Sequence, residues 1–148
     1  MEYMNGKELA ALAGGKILCG NPEITISSVT TNSKEVTDGT LFVPIIGEKV
    51  DGHRFIGQAV QSGATAILTA REDVIVDCQA EQNPVVILVD NTLQALQKLA
   101  AGYHARLASP VVGITGSVGK TTTKEMIAAA LHTKHILKTA GNMNSQVG

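Results

Sequence analysis

A glycine-spaced turn in the last third of the chain lies between an apolar segment and a segment with helical periodicity. The turn reads Thr-Gly-Ser-Val-Gly-Lys-Thr-Thr and occupies residues 115–122. Residues 111–115 read as a buried strand, and residues 122–131 place apolar side chains on one helical face. A strand, a glycine-rich turn and a helix in this order are typical of a phosphate-binding loop. We therefore expect a nucleotide site at the start of a parallel-sheet domain.

Such a loop binds polyphosphate with its backbone N–H groups, assisted by the positive end of the helix dipole. Lys120 is predicted to reach the β- and γ-phosphates and, with Thr121, to be catalytic, while Thr121 Oγ1 is predicted to ligate Mg²⁺. The predicted ATP-binding residues are Thr115, Gly116, Ser117, Val118, Gly119, Lys120, Thr121 and Thr122. Ile114 departs from the strict pattern, which has a small residue there. The alternative is an ordinary glycine-rich turn with a surface lysine.

Composition and charge narrow the classes of function. Apolar residues make up 44% of the chain and charged residues 17%, as in folded globular domains. A net charge of −1 without a dense block of Lys and Arg argues against nucleic acid as a partner. No signal segment or long apolar run is visible, so we expect a cytoplasmic protein that does not insert into membranes. Cys19 and Cys78 are isolated, and we expect reduced, buried thiols rather than a disulfide.

Strand and helix signals alternate along the chain, which predicts an α/β fold. Helices are expected over residues 5–14, 55–63 and 92–107, and strands over residues 24–33, 41–45, 66–69 and 85–89. The first helix begins with a capping box, in which Asn5 caps and Glu8 bonds back. We place a domain boundary near residue 90. This divides the chain into a small α/β domain, residues 1–90, and the beginning of a P-loop domain, residues 91–148.

The second domain is too short to complete a nucleotide-binding sheet. Only about 40 residues follow Pro110, and Glu125 is the one acidic residue after Lys120. The carboxylate that usually supports Mg²⁺ from a neighbouring strand is therefore missing, as is a general base. We expect the chain to be the front portion of a longer enzyme.

Four stretches carry a resemblance to a known family. Residues 115–122 resemble the ATP loop of the Mur ligases, which add amino acids to the peptidoglycan precursor. Residues 31–43 and 47–56 are similar to the N-terminal, uridine-nucleotide-binding domain in that family. The family usually has Asp-Ser-Arg where this chain has Asn32, Ser33 and Lys34, so a carboxylate is lost and a guanidinium becomes an ammonium. Residues 139–144 resemble the Gly-Asn-x-Asn segment of the members that add D-alanyl-D-alanine.

The resemblance implies an ATP- and Mg²⁺-dependent ligase that joins D-alanyl-D-alanine to UDP-N-acetylmuramoyl-tripeptide through an acyl phosphate. It also implies a parent enzyme that is monomeric and a fragment that is inactive by itself. The substrate-binding residues it implies are Ser33, Lys34, Lys49, Asp51, His53, Asn142 and Asn144.

Three alternatives stay open at the level of sequence. A second group of Mur ligases adds the third residue of the peptide and shares both the first domain and the ATP loop. A non-catalytic module that binds a UDP-sugar would need only the first domain. An unrelated P-loop ATPase or kinase is disfavoured, because the segment before the loop reads as a substrate-binding domain.

Overall fold

The structure is a computed structural model that describes residues 3–48, 50–74, 83–107 and 109–139. The chain divides into two compact units, and the first one ends at Leu107. The first unit therefore extends past residue 90, near which the sequence places the domain boundary. The reason is that the helix over Thr92–Arg106 belongs to the first unit, where Ala95 and Leu99 are buried in the core.

The first unit contains a five-stranded sheet with helices on its faces. The strands of this unit are β1 (Met4–Asn5), β2 (Lys16–Cys19), β3 (Thr25–Ile26), β4 (Ser28–Thr30), β5 (Thr40–Phe42), β6 (Ala66–Thr69) and β7 (Val85–Leu88). The order in the five-stranded sheet is β2-β7-β6-β5-β4, in which β4 to β7 run parallel and β2 lies antiparallel at one edge. A separate antiparallel pair joins β1 to β3. The helices are α1 (Gly6–Ala13), α2 (Ile56–Gln61) and α3 (Thr92–Arg106), with 3₁₀ helices at Ser33–Glu35 and Gly52–Phe55.

The two faces of the sheet bury different residues, because side chains alternate along each strand. On one face Leu41, Leu68 and Ile87 pack with residues of α1 and α3. On the other face Phe42 and Ile67 pack with residues of α2. The inner strands are therefore covered on both sides, which explains their continuous apolar sequences.

Helix α1 begins and ends where the sequence predicts. The Asn5 side chain accepts from the Glu8 N–H at 2.9 Å, and the Glu8 carboxylate accepts from the Asn5 N–H at 3.1 Å. At the other end Gly14 has a φ of 69°, the left-handed conformation that glycine adopts without strain. The capping-box prediction is confirmed.

Several strands of the first unit differ from the prediction. The segment expected as one strand over residues 24–33 forms two strands, because the N–H groups of Ser27 and Ser28 both bond to the Gly39 carbonyl. β3 then pairs with β1, whereas β4 joins the main sheet. β2 was not predicted. Its pairing with β7 is a long-range contact that a four-residue segment does not reveal.

Within residues 109–139, the second unit consists of an extended segment, a turn and one helix. Helix α4 covers Lys120–Ala130, in agreement with the prediction. The predicted strand over residues 111–115 is absent, and Val111 and Val112 are 71% and 63% exposed. A strand needs a neighbour to pair with its backbone groups, and residues 109–139 contain no other strand.

Cys19 is disulfide-bonded, so the expectation of a reduced thiol is wrong; Cys78 lies outside the described residues. Cys19 is also only partly buried, at the end of edge strand β2. Within the described part of the chain, none of the helices has the length and apolar character needed to cross a membrane.

We expect Asn5→Ala to lower the free energy of unfolding by about 1 kcal/mol, because the Glu8 N–H in the first helical turn loses its capping partner. Urea unfolding followed by circular dichroism measures this change. Lys7→Ala is the matched control, since it removes only an exposed ion pair with Glu23 and should change stability by less than about 0.5 kcal/mol. Equal effects of the two variants would contradict a stabilising role for the capping box.

Candidate functional site

The parallel strands of the first unit place their carboxyl ends at one edge of the sheet, where α/β proteins usually bind ligands. β4 leads into the 3₁₀ helix at Ser33–Glu35. β5 leads to a hairpin whose base is the pairing of Ile46 with Asp51. β6 is followed by Ala70 and Arg71. The predicted residues Ser33, Lys34, Asp51 and His53 all lie on these connections, so the structure brings them to the same edge.

The turn after β4 is held by its own polar side chains. Asn32 Oδ1 accepts from the Lys34 N–H at 3.1 Å, and Asn32 Nδ2 donates to Glu35 Oε1 at 3.0 Å. Thr30 Oγ1 donates to the other oxygen of Glu35 at 3.2 Å. An amide at position 32 can both accept and donate, which an ionised aspartate cannot do. The departure from the Asp-Ser-Arg pattern therefore has a local structural reason.

Ser33 and Lys34 differ in their exposure. Ser33 is buried, and its hydroxyl donates to Gln58 Oε1 on α2 at 3.0 Å. The Ser33 hydroxyl proton is used in this hydrogen bond, but the hydroxyl oxygen can still accept a hydrogen bond. Lys34 is exposed and can present its ammonium to a ligand at the sheet edge.

Asp51 and His53 form a connected polar cluster in the first unit. The His53 ring is buried, its Nδ1 lies 2.7 Å from Asp51 Oδ1, and its Nε2 accepts from the Ala70 N–H at 3.1 Å. Asp51 Oδ1 also accepts from the His53 N–H at 2.9 Å, and Oδ2 accepts from the Arg71 guanidinium. Both ring nitrogens of His53 are thus used within the protein, so the imidazole has no nitrogen left for a ligand.

The same contacts lower the pKa of Asp51 below its ordinary value. The main cause is the hydrogen bond from the backbone N–H of His53, followed by the hydrogen bond to its ring, and the positive charge of Arg71 adds to the effect. Asp51 is therefore held as a carboxylate.

Arg71 is a residue of this edge that sequence reasoning missed. Its side chain is 53% exposed and is oriented by Asp51. The sequence contained one signal that could have identified Arg71. It is a basic residue two positions after the end of a buried strand, at the edge where parallel strands end. Three predicted residues, Lys49, Asn142 and Asn144, lie outside the described residues.

The second unit contains the glycine-spaced turn. Gly116 and Gly119 have φ values of 150° and 80°, which side chains with a Cβ rarely adopt. Gly119 is the N-cap of α4, and no side chain caps this helix, so the N–H groups of its first turn stay available. Lys120 Nζ donates to the Gly116 carbonyl at 2.5 Å, which folds the lysine back over the turn.

The remaining residues predicted for ATP fit an open cradle. Their side chains are exposed: Thr115, Ser117, Val118, Thr121 and Thr122. A Cβ built on Gly119 meets no atom within 4 Å, so the turn has free space on that side. The arrangement of a lysine, exposed hydroxyls and free backbone N–H groups suits a polyphosphate.

For Mg²⁺ the turn offers the Thr121 hydroxyl. The described residues contain no group of three or more His, Cys, Asp or Glu side chains that could hold a metal ion. Glu125 is bonded to Lys138, which lowers its pKa and directs the carboxylate to that lysine. Mg²⁺ commonly keeps several waters and binds substrate phosphates, so one hydroxyl fits its needs in part.

Comparison with known proteins gives two family matches. Residues 25–104 match the family described as "Mur ligase family, catalytic domain", and residues 114–148 match the "Mur ligase middle domain". The chain is 41% identical over 146 residues to the UDP-N-acetylmuramoyl-tripeptide–D-alanyl-D-alanine ligase of Bacillus subtilis (strain 168). The match covers 96% of this chain and 31% of that protein, so the chain spans about a third of this relative.

Solved structures agree with these matches. A crystal structure of MurF from Acinetobacter baumannii is similar with a TM-score of 0.85 and 31% identity, over 99% of this chain and 32% of that one. MurF ligase from Thermotoga maritima, solved in complex with ADP, is similar with a TM-score of 0.70 and 41% identity. That match covers 82% of this chain and 27% of the other.

The pKa of Asp51 is lower in the folded protein than its ordinary value of 3.8, so the ionised carboxylate stabilises the fold at pH values above 3.8. This contribution to stability is lost as the pH falls through the folded pKa. We expect Asp51→Asn to lower the free energy of unfolding by on the order of 1 kcal/mol at pH 7, with a smaller difference at pH 3. Urea unfolding at both pH values tests this. Exposed Asp73 supplies the control Asp73→Asn, which should have little effect at either pH. A difference for Asp51→Asn that does not change with pH would argue against a role for the charge.

Proposed function

Since the chain belongs to the Mur ligase family, we propose that the protein carrying it is the ligase that joins D-alanyl-D-alanine to UDP-N-acetylmuramoyl-tripeptide with conversion of ATP to ADP and phosphate. The observation that carries the proposal is the presence, in one chain, of a polar sheet edge and a phosphate-type loop, each matched to a Mur ligase domain. Relatives with this name cover nearly the whole chain.

We propose that the first unit binds the uridine-nucleotide end of the precursor at the carboxyl edge of its sheet. Lys34 is exposed there, and Ser33 can accept a hydrogen bond. Asp51 and His53 belong to the same site but are engaged with one another and with Ala70, directly after β6. Lys49 is proposed as a further contact. No basic block is needed, since a nucleotide diphosphate carries few charges.

The turn at residues 115–122 is proposed to bind ATP. Its backbone N–H groups and Lys120 would hold the phosphates, and Lys120 would offset the charge that gathers on the γ-phosphoryl group during transfer. Mg²⁺, held in part by Thr121 Oγ1, would supply further charge neutralisation when bound.

The proposed reaction has two steps. The γ-phosphoryl group moves from ATP to the free carboxylate of the tripeptide, giving an acyl phosphate and ADP. The amine of D-alanyl-D-alanine then attacks the acyl carbon, an amide bond forms and phosphate leaves. The chain's own groups bind and orient these reactants, and no covalent bond to a protein side chain is required.

Other parts of the proposal rest on the family resemblance. Asn142 and Asn144 are proposed to orient substrate or metal-bound water. A precursor ligase with this substrate would act in the cytoplasm, and we propose a monomer. The carboxylate that completes the metal site and the dipeptide-binding residues are proposed to lie in the remaining part of the ligase, as the relatives are about three times as long.

Binding to the first unit is tested by titrating UDP into the ¹⁵N-labelled 148-residue chain. We expect amide shifts among the described residues between 33 and 55, since these connections form the sheet edge. Shifts confined to residues 115–122 would indicate that the uridine nucleotide binds the phosphate loop instead. An absence of shifts throughout would contradict the assignment.

Lys120→Ala in the full-length protein should reduce kcat for ligation by about 10²- to 10³-fold, the loss typical of one preorganised electrostatic contact. The Kd for UDP-tripeptide, measured by calorimetry, should stay within about threefold of the wild type, because that ligand binds the first unit. Lys134→Ala, an exposed lysine just after α4, is the charge-matched control. Ligation by Lys120→Ala within about threefold of the wild-type rate would rule out the ATP-loop assignment.

A further inference from the structure

His53 connects two loops at the sheet edge. The ring is only 6% exposed, and the Ala70 N–H that donates to Nε2 belongs to the residue directly after β6. A nitrogen that accepts a hydrogen bond carries the lone pair, so the proton of the neutral imidazole resides on Nδ1 and is donated to Asp51. The ring thus has one tautomer, set by its two partners.

Asp51 connects this ring to the base of the hairpin, which we define as Ile45, Ile46, Asp51 and Gly52. Asp51 pairs with Ile46 in an antiparallel bridge, and the Gly52 N–H bonds to the Ile45 carbonyl at 2.9 Å. Space at Gly52 is closed, since an added Cβ would lie 2.7 Å from the Ile45 backbone. The backbone that carries Asp51 is therefore tightly packed, which fixes the position of its carboxylate relative to His53.

Arg71 closes the network from the other side. It follows Ala70, and its guanidinium bonds to the Asp51 oxygen that His53 does not use. Other charged residues close to these in the sequence are exposed: Glu48, Arg54, Glu72 and Asp73. Arg54 lies over the ring of Phe55, with 5.1 Å between the guanidinium carbon and the ring centroid. Two consecutive residues of one connection, Ala70 and Arg71, thus bind both ends of the Asp51–His53 pair.

We propose that Asp51, His53 and Arg71 are positioning residues that lock the base of the hairpin to the carboxyl end of β6, in the orientation that binds the uridine nucleotide. This inference rests on the proposed function. Arg71 acts through Asp51, because it holds the carboxylate in the direction that His53 requires. The cluster orders the loop before the nucleotide arrives, so less ordering remains for the binding step.

The test is a double-mutant cycle on the 148-residue chain, with UDP as the probe and Kd measured by calorimetry. Arg71→Ala should weaken UDP binding about tenfold, the effect of a lost charge-assisted hydrogen bond. Arg71→Lys should weaken it only about threefold, because an ammonium can still contact Asp51. Arg54→Ala removes an equal charge next to the network and should stay within about twofold of the wild type.

The cycle separates an indirect role from direct contact with the ligand. If Arg71 acts through Asp51, Arg71→Ala in the Asp51→Asn background should add less than about twofold. If the two effects multiply, or if Arg71→Ala equals Arg54→Ala, the positioning role is overturned. Circular dichroism verifies that each variant is folded at the temperature used.

A second readout follows the hairpin directly. In Arg71→Ala, hydrogen exchange at the Gly52 N–H should accelerate at least several-fold, whereas Arg54→Ala should leave it unchanged. Unaltered exchange in Arg71→Ala would contradict the lock. Failure of the wild-type chain to bind UDP would instead overturn the proposed function of the first unit, and with it the binding role of the cluster.

Discussion

The parallel pairing of β5, β6 and β7, buried on both faces, is the constraint on which the first unit depends. Leu41, Ile67 and Ile87 are fully buried, and the helices that cover them lie on opposite faces. Burial of this much apolar surface is the main source of stability in a small domain. Because these strands are parallel, the loops that follow them all begin at the same edge of the sheet.

At that edge the protein buries a polar side chain, which costs free energy unless its hydrogen bonds are satisfied. His53 meets this requirement with the Asp51 carboxylate on one nitrogen and the Ala70 N–H on the other. The Asp51 carboxylate in turn forms an ion pair with Arg71, whose side chain is half exposed. The buried imidazole and the ion pair thus form one hydrogen-bonded network. The His53 ring orients the Asp51 carboxylate, and the charges strengthen the hydrogen bonds that this carboxylate accepts.

The second unit differs from the first in the burial of its apolar side chains. Helix α4 has no buried residue among its 11, and the apolar segment before the turn stays exposed and unpaired. The turn nevertheless has its glycine conformations and its lysine contact, because these depend on neighbours within five residues. Local geometry suffices for a phosphate cradle, whereas a strand requires a partner.

Several features were determined by the sequence alone, because their physical causes are local. The capping box at Asn5, the left-handed Gly14 and the helix start after Gly119 each involve residues a few positions apart. The apolar runs of β6 and β7 were also readable, since strands buried on both faces need continuous apolar side chains. The family motifs belong to the same class, as they are short segments of fixed spacing.

Only the tertiary structure decided which of these segments meet. β2 as an edge strand, the division between β3 and β4, and the membership of α3 in the first unit all depend on contacts far apart in the sequence. The site follows the same rule. Sequence analysis selected Asp51 and His53 as ligand contacts, but 17 positions separate His53 from Ala70 and 20 separate Asp51 from Arg71. Those bonds form only because parallel strands end at one edge, and no local pattern encodes a partner at such a distance.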